Sequence, residues 1–378
     1  MKIGLISTHS FLVPGGVKSH MVNLQKEFKK MGHVCKIIVP RREENEDYGP
    51  DVILMGTSFS LPISGTQADF SFVFTPGAID KVLKEEKFDI LHFHNFGLSG
   101  WQIAENPYAA PTKILTWHAS LEGTSFLNVF PFVKSLFMKI IKENIDGILG
   151  VAPFNLDLFV DTNKIKAVIP NGIDLKKFNP EEPEIQKYKD GKINILFLGR
   201  IEERKGLIYL LRAYKILSKK YKNIRLIIVG GGPEEDECRD FVKENNLENV
   251  IFEGEKVENP IPSYYTTADI YVSPATHGES FGIVLIEAMA CGTPVVAFGN
   301  QGYKIVMEDK YKDFVAEPKD YKELAKKIEI LITDENKRKE MREFGLHLVQ
   351  KYSWDKVATR VLNFYQEIIK SKKNSRII

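Results

Sequence analysis

The chain alternates between short unbroken apolar runs and longer stretches in which apolar residues recur every three or four positions. KIGLIS (2–7), CKIIVP (35–40), DILHFH (89–94), TKILTWH (112–118), GILGV (147–151) and AVIPN (167–171) form a first series of runs. Apolar runs bounded by turn residues are the pattern of parallel strands buried on both faces. Between the first two, VKSHMVNLQKEFKKMGH places Val17, Met21, Leu24 and Phe28 at helical spacing, and Gly32 stops the helix. The loop NGIDLKKFNPEEPEIQKYKDG (171–191) is polar, charged and holds two prolines, so it reads as a linker. INILFLG (193–199), IRLIIVG (224–230), VIFEG (250–254), DIYVSP (269–274) and TPVVAFG (293–299) then form a second series, with helical patterns between them. A last segment near 355–372 carries Val357, Val361, Phe364 and Ile368 and is expected to pack back on the first domain. The closing SKKNSRII reads as a frayed tail.

This pattern predicts an α/β chain of two Rossmann-like domains, 1–170 with 355–378, and 171–354. Two such halves facing each other leave a deep cleft between the carboxyl ends of their strands, where ligands bind in open α/β sheets. A length of 378 residues suits two domains. With 52 basic and 50 acidic side chains, the net charge of +2 gives no electrostatic footprint for nucleic acid. Cys35, Cys238 and Cys291 are few, scattered and odd in number, which suits a reducing cytosol rather than a disulfide framework or zinc pattern. No signal peptide or membrane-length apolar run is visible, so a cytoplasmic location is expected. Nothing in the sequence sets an oligomeric state.

Three stretches carry candidate chemistry. PGGVKSH (14–20) follows the first strand and opens a helix; Gly15 and Gly16 let backbone N–H groups approach a phosphate, and the plain alternative is a glycine turn. In GRIEERKG (199–206), Arg200 sits at a strand's carboxyl end and Lys205 five residues on; the pair can converge on one diphosphate, or be two solvated charges. HGESFGIVLIEAMACGTPVV (277–296) follows DIYVSP and predicts a helix from Ser280 or Phe281 to Gly292. Glu279 then lies at its threshold, suited to sugar hydroxyls. The amides of Phe281, Gly282, Ile283 and Val284 point at a phosphate or sugar, and Gly282 leaves that surface bare. Glu287 lies inside the apolar helix, where a buried carboxylate needs either a ligand such as a ribose diol or a protein partner.

Glu279 and Glu287, in ESFGIVLIE, resemble the EX7E signature of the family 4 retaining glycosyltransferases of the GT-B fold. The resemblance covers nearly the whole chain in order: PGGVKSH, TWHAS, VIPNGIDLKKF, FLGRIEERKG, IVGGGPEEDE and HGESFGIVLIEAMACGTPVV. The first half is most similar to bacterial phosphatidylinositol mannosyltransferases. The resemblance implies a nucleotide-diphospho-sugar substrate, with GDP-mannose, UDP-glucose and UDP-N-acetylglucosamine all fitting, and no separate cofactor. It implies that Arg200 and Lys205 hold the diphosphate and that Gly16 approaches it from the other domain. Glu287 would hold the ribose; Glu279, with the amides of Ser280 to Gly282, the sugar; and Val257 the base through its backbone. His118, in TWHAS, would face the sugar and acceptor, with His9 and Val17 on the acceptor side. The expected transfer is metal-independent, because the cationic pair can replace a metal; no carboxylate is an obvious nucleophile, and the resemblance implies front-face substitution.

The expected acceptor is a lipid or glycan hydroxyl. SFLNVFPFVKSLFMKIIKE (125–143), with Lys134, Lys139 and Lys142 among apolar residues, suits either an anionic membrane face, which would be the inner face of the cell membrane, or a buried helix. AIDKVLKEEKF (78–88) sets Asp80, Glu85 and Glu86 against Lys81, Lys84 and Lys87, which weakens the membrane reading. Phosphatidylinositol-specific relatives carry polar residues where this chain has His9 and Leu12. A sugar-nucleotide epimerase and a non-catalytic nucleotide-sugar-binding protein are the competing readings.

Overall fold

A computed structural model describes residues 1–12, 15–63, 66–118, 131–256 and 260–374. The chain forms two compact units, Met1–Asn171 with Trp354–Ile378, and Gly172–Ser353.

Unit 1 holds an eight-stranded sheet in the order β4-β3-β2-β1-β5-β6-β7-β8. Its strands are β1 (Lys2–Ser7), β2 (Val34–Arg41), β3 (Val52–Ile63), β4 (Thr66–Phe72), β5 (Ile90–His94), β6 (Thr112–Trp117), β7 (Gly147–Gly150) and β8 (Ile165–Val168). All neighbours are parallel except β3 and β4, an antiparallel pair that the apolar pattern does not announce. The helices are α1 (Gly16–Lys30), α2 (Ala78–Glu86), α3 (Leu98–Ala104), α4 (Pro131–Asn144) and, from the end of the chain, α12 (Trp354–Asn374). On one sheet face α1 buries Met21, Leu24 and Phe28 in a cluster with Val357, Val361, Phe364 and Ile368 of α12. Each such fully buried side chain contributes about 1.5–3 kcal/mol of transfer free energy. Gly147 lets α12 approach, because a Cβ there would lie 2.7 Å from Ile368 Cδ1. Of the tail expected to fray, residues 371–374 continue the helix, with Lys372 Nζ holding Asp146 Oδ1 at 2.8 Å, and 375–378 lie outside the described residues.

Unit 2 holds a six-stranded parallel sheet in the order β11-β10-β9-β12-β13-β14. The strands are β9 (Ile193–Leu198), β10 (Ile224–Val229), β11 (Val250–Gly254), β12 (Ile270–Ser273), β13 (Val295–Phe298) and β14 (Val315–Ala316). The helices are α5 (Leu207–Lys220), α6 (Glu235–Glu244), α7 (Ile261–Thr267), α8 (Ile283–Ala290), α9 (Gln301–Val306), α10 (Tyr321–Thr333) and α11 (Glu335–Leu348). The stretch 171–191, read as a linker, belongs to this core: Ile173, Phe178 and Tyr188 are buried in it. Its apolar residues are spaced too widely to show a period, so composition alone misplaces it.

The chain runs outward in both directions from β1/β5 in unit 1 and from β9/β12 in unit 2. At such a reversal the connections leave to opposite faces and open a crevice at the strands' carboxyl ends. The segments after β1, β9 and β12 hold most of the candidate residues, and His118 follows β6, the neighbour of β5. Among the described residues no helix is long and apolar enough to cross a membrane, and all three cysteines are buried thiols.

Candidate functional site

In unit 2, β9 ends at Leu198 and is followed by Gly199 and Arg200, a 3-10 turn carries Glu203–Lys205, and α5 begins after Gly206. Gly206 has φ +66, and a Cβ on it would lie 2.3 Å from Pro274 O, so only glycine lets this turn meet the loop after β12. The Thr276 amide donates to Arg204 O at 2.8 Å and fastens the two loops together. Lys205 Nζ then lies 2.6 Å and Arg204 Nη1 2.9 Å from the same Glu279 oxygen, Oε1. Arg204 Nε also holds Glu202 Oε1 at 2.7 Å, while Arg200 Nε lies 3.5 Å from Glu202 Oε2. The Arg200 side chain is 72% exposed, against 17% for Lys205 and 14% for Glu279. Lys205 and Glu279 thus meet directly, and Arg200 joins them through Glu202 and Arg204. Sequence reading misses Arg204: its only signal is a charge beside Lys205 in a loop full of charges.

The helix after Glu279 starts later than the sequence predicts. Gly282 caps α8 with φ +95, a left-handed conformation that ends any helix reaching back to Ser280 or Phe281. The first-turn amides are those of Ile283, Val284 and Leu285, and no side chain caps them. Phe281 is buried, its ring edge-on to Tyr352 at 5.3 Å. Gly282 is required for packing as well: a Cβ would lie 2.7 Å from the Tyr303 ring. Glu287, half-buried on α8, accepts a hydrogen bond at 3.0 Å from the Tyr265 hydroxyl. Burial pushes its carboxyl up to about 7, against the opposing pull of Tyr265, Lys177 and Lys205. Among the described residues its hydrogen-bond partner is therefore a phenol. Val257 lies outside the described residues.

In unit 1, the segment after β1 turns on its own side chains: the His9 amide donates to Ser7 Oγ at 3.0 Å, and the Leu12 amide to Ser10 Oγ at 3.1 Å. Gly15 is extended at the start of α1; Gly15 and Gly16 are exposed and Val17 is half-buried. His118 follows β6; its amide donates to Asn95 Oδ1 at 2.9 Å, and its Nε2 lies 3.1 Å from His94 Nδ1. His94 ends β5, and its register partner is Thr116, so His118 emerges two residues on from that pair. His20, from α1, sets its ring 4.9 Å from that of His118 and 5.2 Å from that of His94. Burial drives His20 down to about 4 and His94 and His118 well below the ordinary histidine value, so the three rings are neutral at pH 7. The sequence reading passes over His20 and His94. Two histidines, His92 and His94, at alternate positions of the buried run ILHFH were the signal for His94; nothing comparable marks His20.

The segment expected to meet a membrane is α4 in its described part; 119–130 lie outside the described residues. Ile140 and Ile141 are buried, while Phe132 is 81% and Leu136 42% exposed, beside an exposed Lys139. α2 carries Asp80, Glu85 and Glu86 against Lys81 and Lys84, and even with Glu86 held by Lys2 and Lys36 it has no net positive charge.

The family model for glycosyl transferases group 1 matches residues 178–347, and that for Glycosyltransferase Family 4 matches residues 14–177. Phosphatidyl-myo-inositol mannosyltransferase from Mycobacterium leprae is 31% identical over 387 aligned positions, spanning 98% of this chain and 98% of that protein. Among solved structures, sucrose-phosphate synthase from Thermosynechococcus elongatus superimposes with a TM-score of 0.76 at 21% identity, covering 98% of this chain and 99% of its own. Anabaena Alr3699/HepE in complex with UDP gives a TM-score of 0.76 at 17% identity, over 97% of this chain and 100% of its own. At these identities the structural likeness speaks for the fold.

Proposed function

The chain belongs to the family 4 glycosyltransferases and moves a sugar from a nucleotide-sugar donor to an acceptor; from that premise we propose that unit 2 grips the donor and that transfer is retaining and needs no metal ion. The observation that carries this reading is the Lys205–Glu279–Arg204 ion cluster beside the uncapped first turn of α8. A diphosphate draws Lys205 and the exposed Arg200 onto its oxygens, and Arg204 keeps Glu279 in place for the sugar hydroxyls. The amides of Ile283 and Val284, at the positive end of α8, add donors to the anion; those of Ser280 to Gly282 serve the sugar. Glu287 takes the ribose diol, with Tyr265 fixing its second oxygen. Charge gathering on the leaving diphosphate is the largest change in the transition state, and a fixed cationic pair stabilises it without reorganising. With no carboxylate assigned as nucleophile, the acceptor attacks from the face that the diphosphate leaves, and the diphosphate takes its proton. In unit 1 we assign His118 to the sugar, His9 and Val17 to the acceptor side, and Gly15 and Gly16 to the diphosphate.

The acceptor we propose is a lipid-borne or glycan hydroxyl, supported by the mannosyltransferase relative and by the exposed Phe132 and Leu136 on α4. Peripheral contact with the cytoplasmic face of a membrane follows from the same pair of side chains. Incubation with GDP-mannose, UDP-glucose and UDP-N-acetylglucosamine in excess EDTA tests the reading. One donor releases its nucleotide faster when phosphatidylinositol or a glycolipid is added, and the product keeps the donor's anomeric configuration. Inversion, or activity that vanishes in EDTA and returns with magnesium, contradicts it.

A further inference from the structure

We propose that His20, His94 and His118 form a binding site for a divalent first-row transition ion of the zinc class, and that an ion held there blocks transfer. The first half stands on unit 1 alone; the second rests on the role assigned to His118 above.

One ring nitrogen from each of the three lies within 4.8 Å of the others. The ring centroids are 4.9, 5.2 and 5.4 Å apart. Three imidazoles on one tetrahedral ion at Zn–N of about 2.0–2.1 Å set their centroids roughly 5 Å apart. His94 Nδ1 and His118 Nε2 are 3.1 Å apart; two nitrogens on a tetrahedral zinc are about 3.4 Å apart. The rings already stand where a shared ion needs them.

Hydrogen bonding fixes the tautomer of the third ring. His20 Nδ1 lies 2.8 Å from Asn171 Oδ1. That oxygen only accepts, so Nδ1 carries the proton and Nε2 keeps its lone pair. A ligating histidine ordinarily donates its other N–H to such an outer partner, and Asn171 supplies it. Trp354 packs edge-on to His20 at 5.1 Å and walls the site on that side. His92 marks the contrast: its Nδ1 and Nε2 are both occupied, by the Tyr365 and Thr116 hydroxyls at 2.6 Å, so it buttresses His94 and ligates nothing. His94 Nε2 is buried with no hydrogen-bond partner among the described residues, so that nitrogen can take up the proton that binding expels from between His94 and His118.

Three neutral imidazoles suit zinc, cobalt, nickel or copper rather than magnesium, and they leave a fourth position open. An ion there ties up the Nε2 of His118 and adds a double positive charge, so the enzyme loses that ring for the sugar.

Cobalt(II) reads the site without any substrate. The full chain, stripped of metal and titrated with cobalt, develops the visible bands of a tetrahedral ion, saturating at one equivalent and erased by zinc. His20→Gln and His94→Gln abolish the bands, and His347→Gln, on the exposed end of α11, keeps them. A wild-type protein with no saturating band, or bands that survive both substitutions, overturns the site. Zinc K-edge absorption of the wild-type protein avoids any question of misfolded variants: a shell of three imidazoles is expected, and a shell without them overturns the site. One equivalent of zinc should then slow transfer at least fivefold, reversed by EDTA; zinc that leaves the rate unchanged or raises it overturns the block. Because the cobalt spectrum needs no donor, failure of the metal site and failure of the assigned His118 role are told apart.

Discussion

At the scale of single residues, Glu279 is the hub. It spends its contacts in this state on Lys205 and Arg204, both of which hold the one oxygen Oε1. With Arg200 and Lys205 in the role proposed, removing either cation costs transition-state charge stabilisation. Arg200→Ala and Lys205→Ala should each lower turnover at least tenfold, a loss of about 1.4 kcal/mol or more, with unchanged circular dichroism. Steady-state rates for both variants check this, and wild-type turnover in both removes the pair from the mechanism. Glu287 gives a pH dependence. Its folded value, about 7, lies above the ordinary 4.5, so the ionised carboxylate opposes folding above pH 7, and that penalty fades as pH falls from about 7 to 4.5. A ribose diol donates to the carboxylate and favours its ionised form. Nucleotide affinity should therefore weaken as pH falls below 7, and Glu287→Gln should bind more weakly with a flat profile between pH 6 and 8. Calorimetric titration across that range checks both. Glu279, Lys205 and Glu287 were legible because an ordered set of motifs singles them out. Arg204 was not, because adjacent cations in a charged loop look alike. His94 was not, because a histidine in an apolar run looks like core, and His20 was not, because it stands among polar and apolar residues of an amphipathic helix.

At the scale of elements, topology does most of the positioning. The apolar runs disclosed the strands that meet at the two reversals, which is why the candidate loops could be found before any coordinates. The misses have separate local causes. β3 and β4 hold each other antiparallel at an edge, where Gly56, Pro62 and a polar alternation hide the apolar signal. The start of α8 moved three residues because Gly282 takes a left-handed φ that only its neighbour Tyr303 and the loop explain. On the next helix, α9, Gly302 lets the backbone of Glu279 lie against it; a Cβ would stand 2.2 Å from Glu279 O and 2.9 Å from Phe281 N. Gly302→Ala should therefore destabilise unit 2 by about 1–3 kcal/mol, as overpacking does, and raise KM for the donor by displacing Glu279. Denaturant midpoints and donor kinetics measure the two effects; a variant with wild-type values in both shows that the contact does not set the loop.

At the scale of the whole molecule, the two units divide the chain with the C-terminal helix packed into the first unit's core. Family membership accounts for that architecture at low identity to solved folds. On the reading proposed, the acceptor is chosen by a handful of side chains such as His9 and Leu12, which no fold dictates. If α4 meets a lipid surface, Phe132→Ser with Leu136→Ser should reduce co-sedimentation with anionic vesicles severalfold and spare release of nucleotide in detergent. The central claim, a sugar nucleotide gripped in unit 2 by Lys205 and Glu287, is tested most directly by thermal denaturation with a panel of nucleotide diphosphates and their sugars. At least one ligand should raise the wild-type Tm by several degrees, and Lys205→Ala and Glu287→Gln should each lose most of that rise. A panel that leaves the wild-type Tm unmoved at millimolar ligand, or a rise that both variants retain in full, contradicts it.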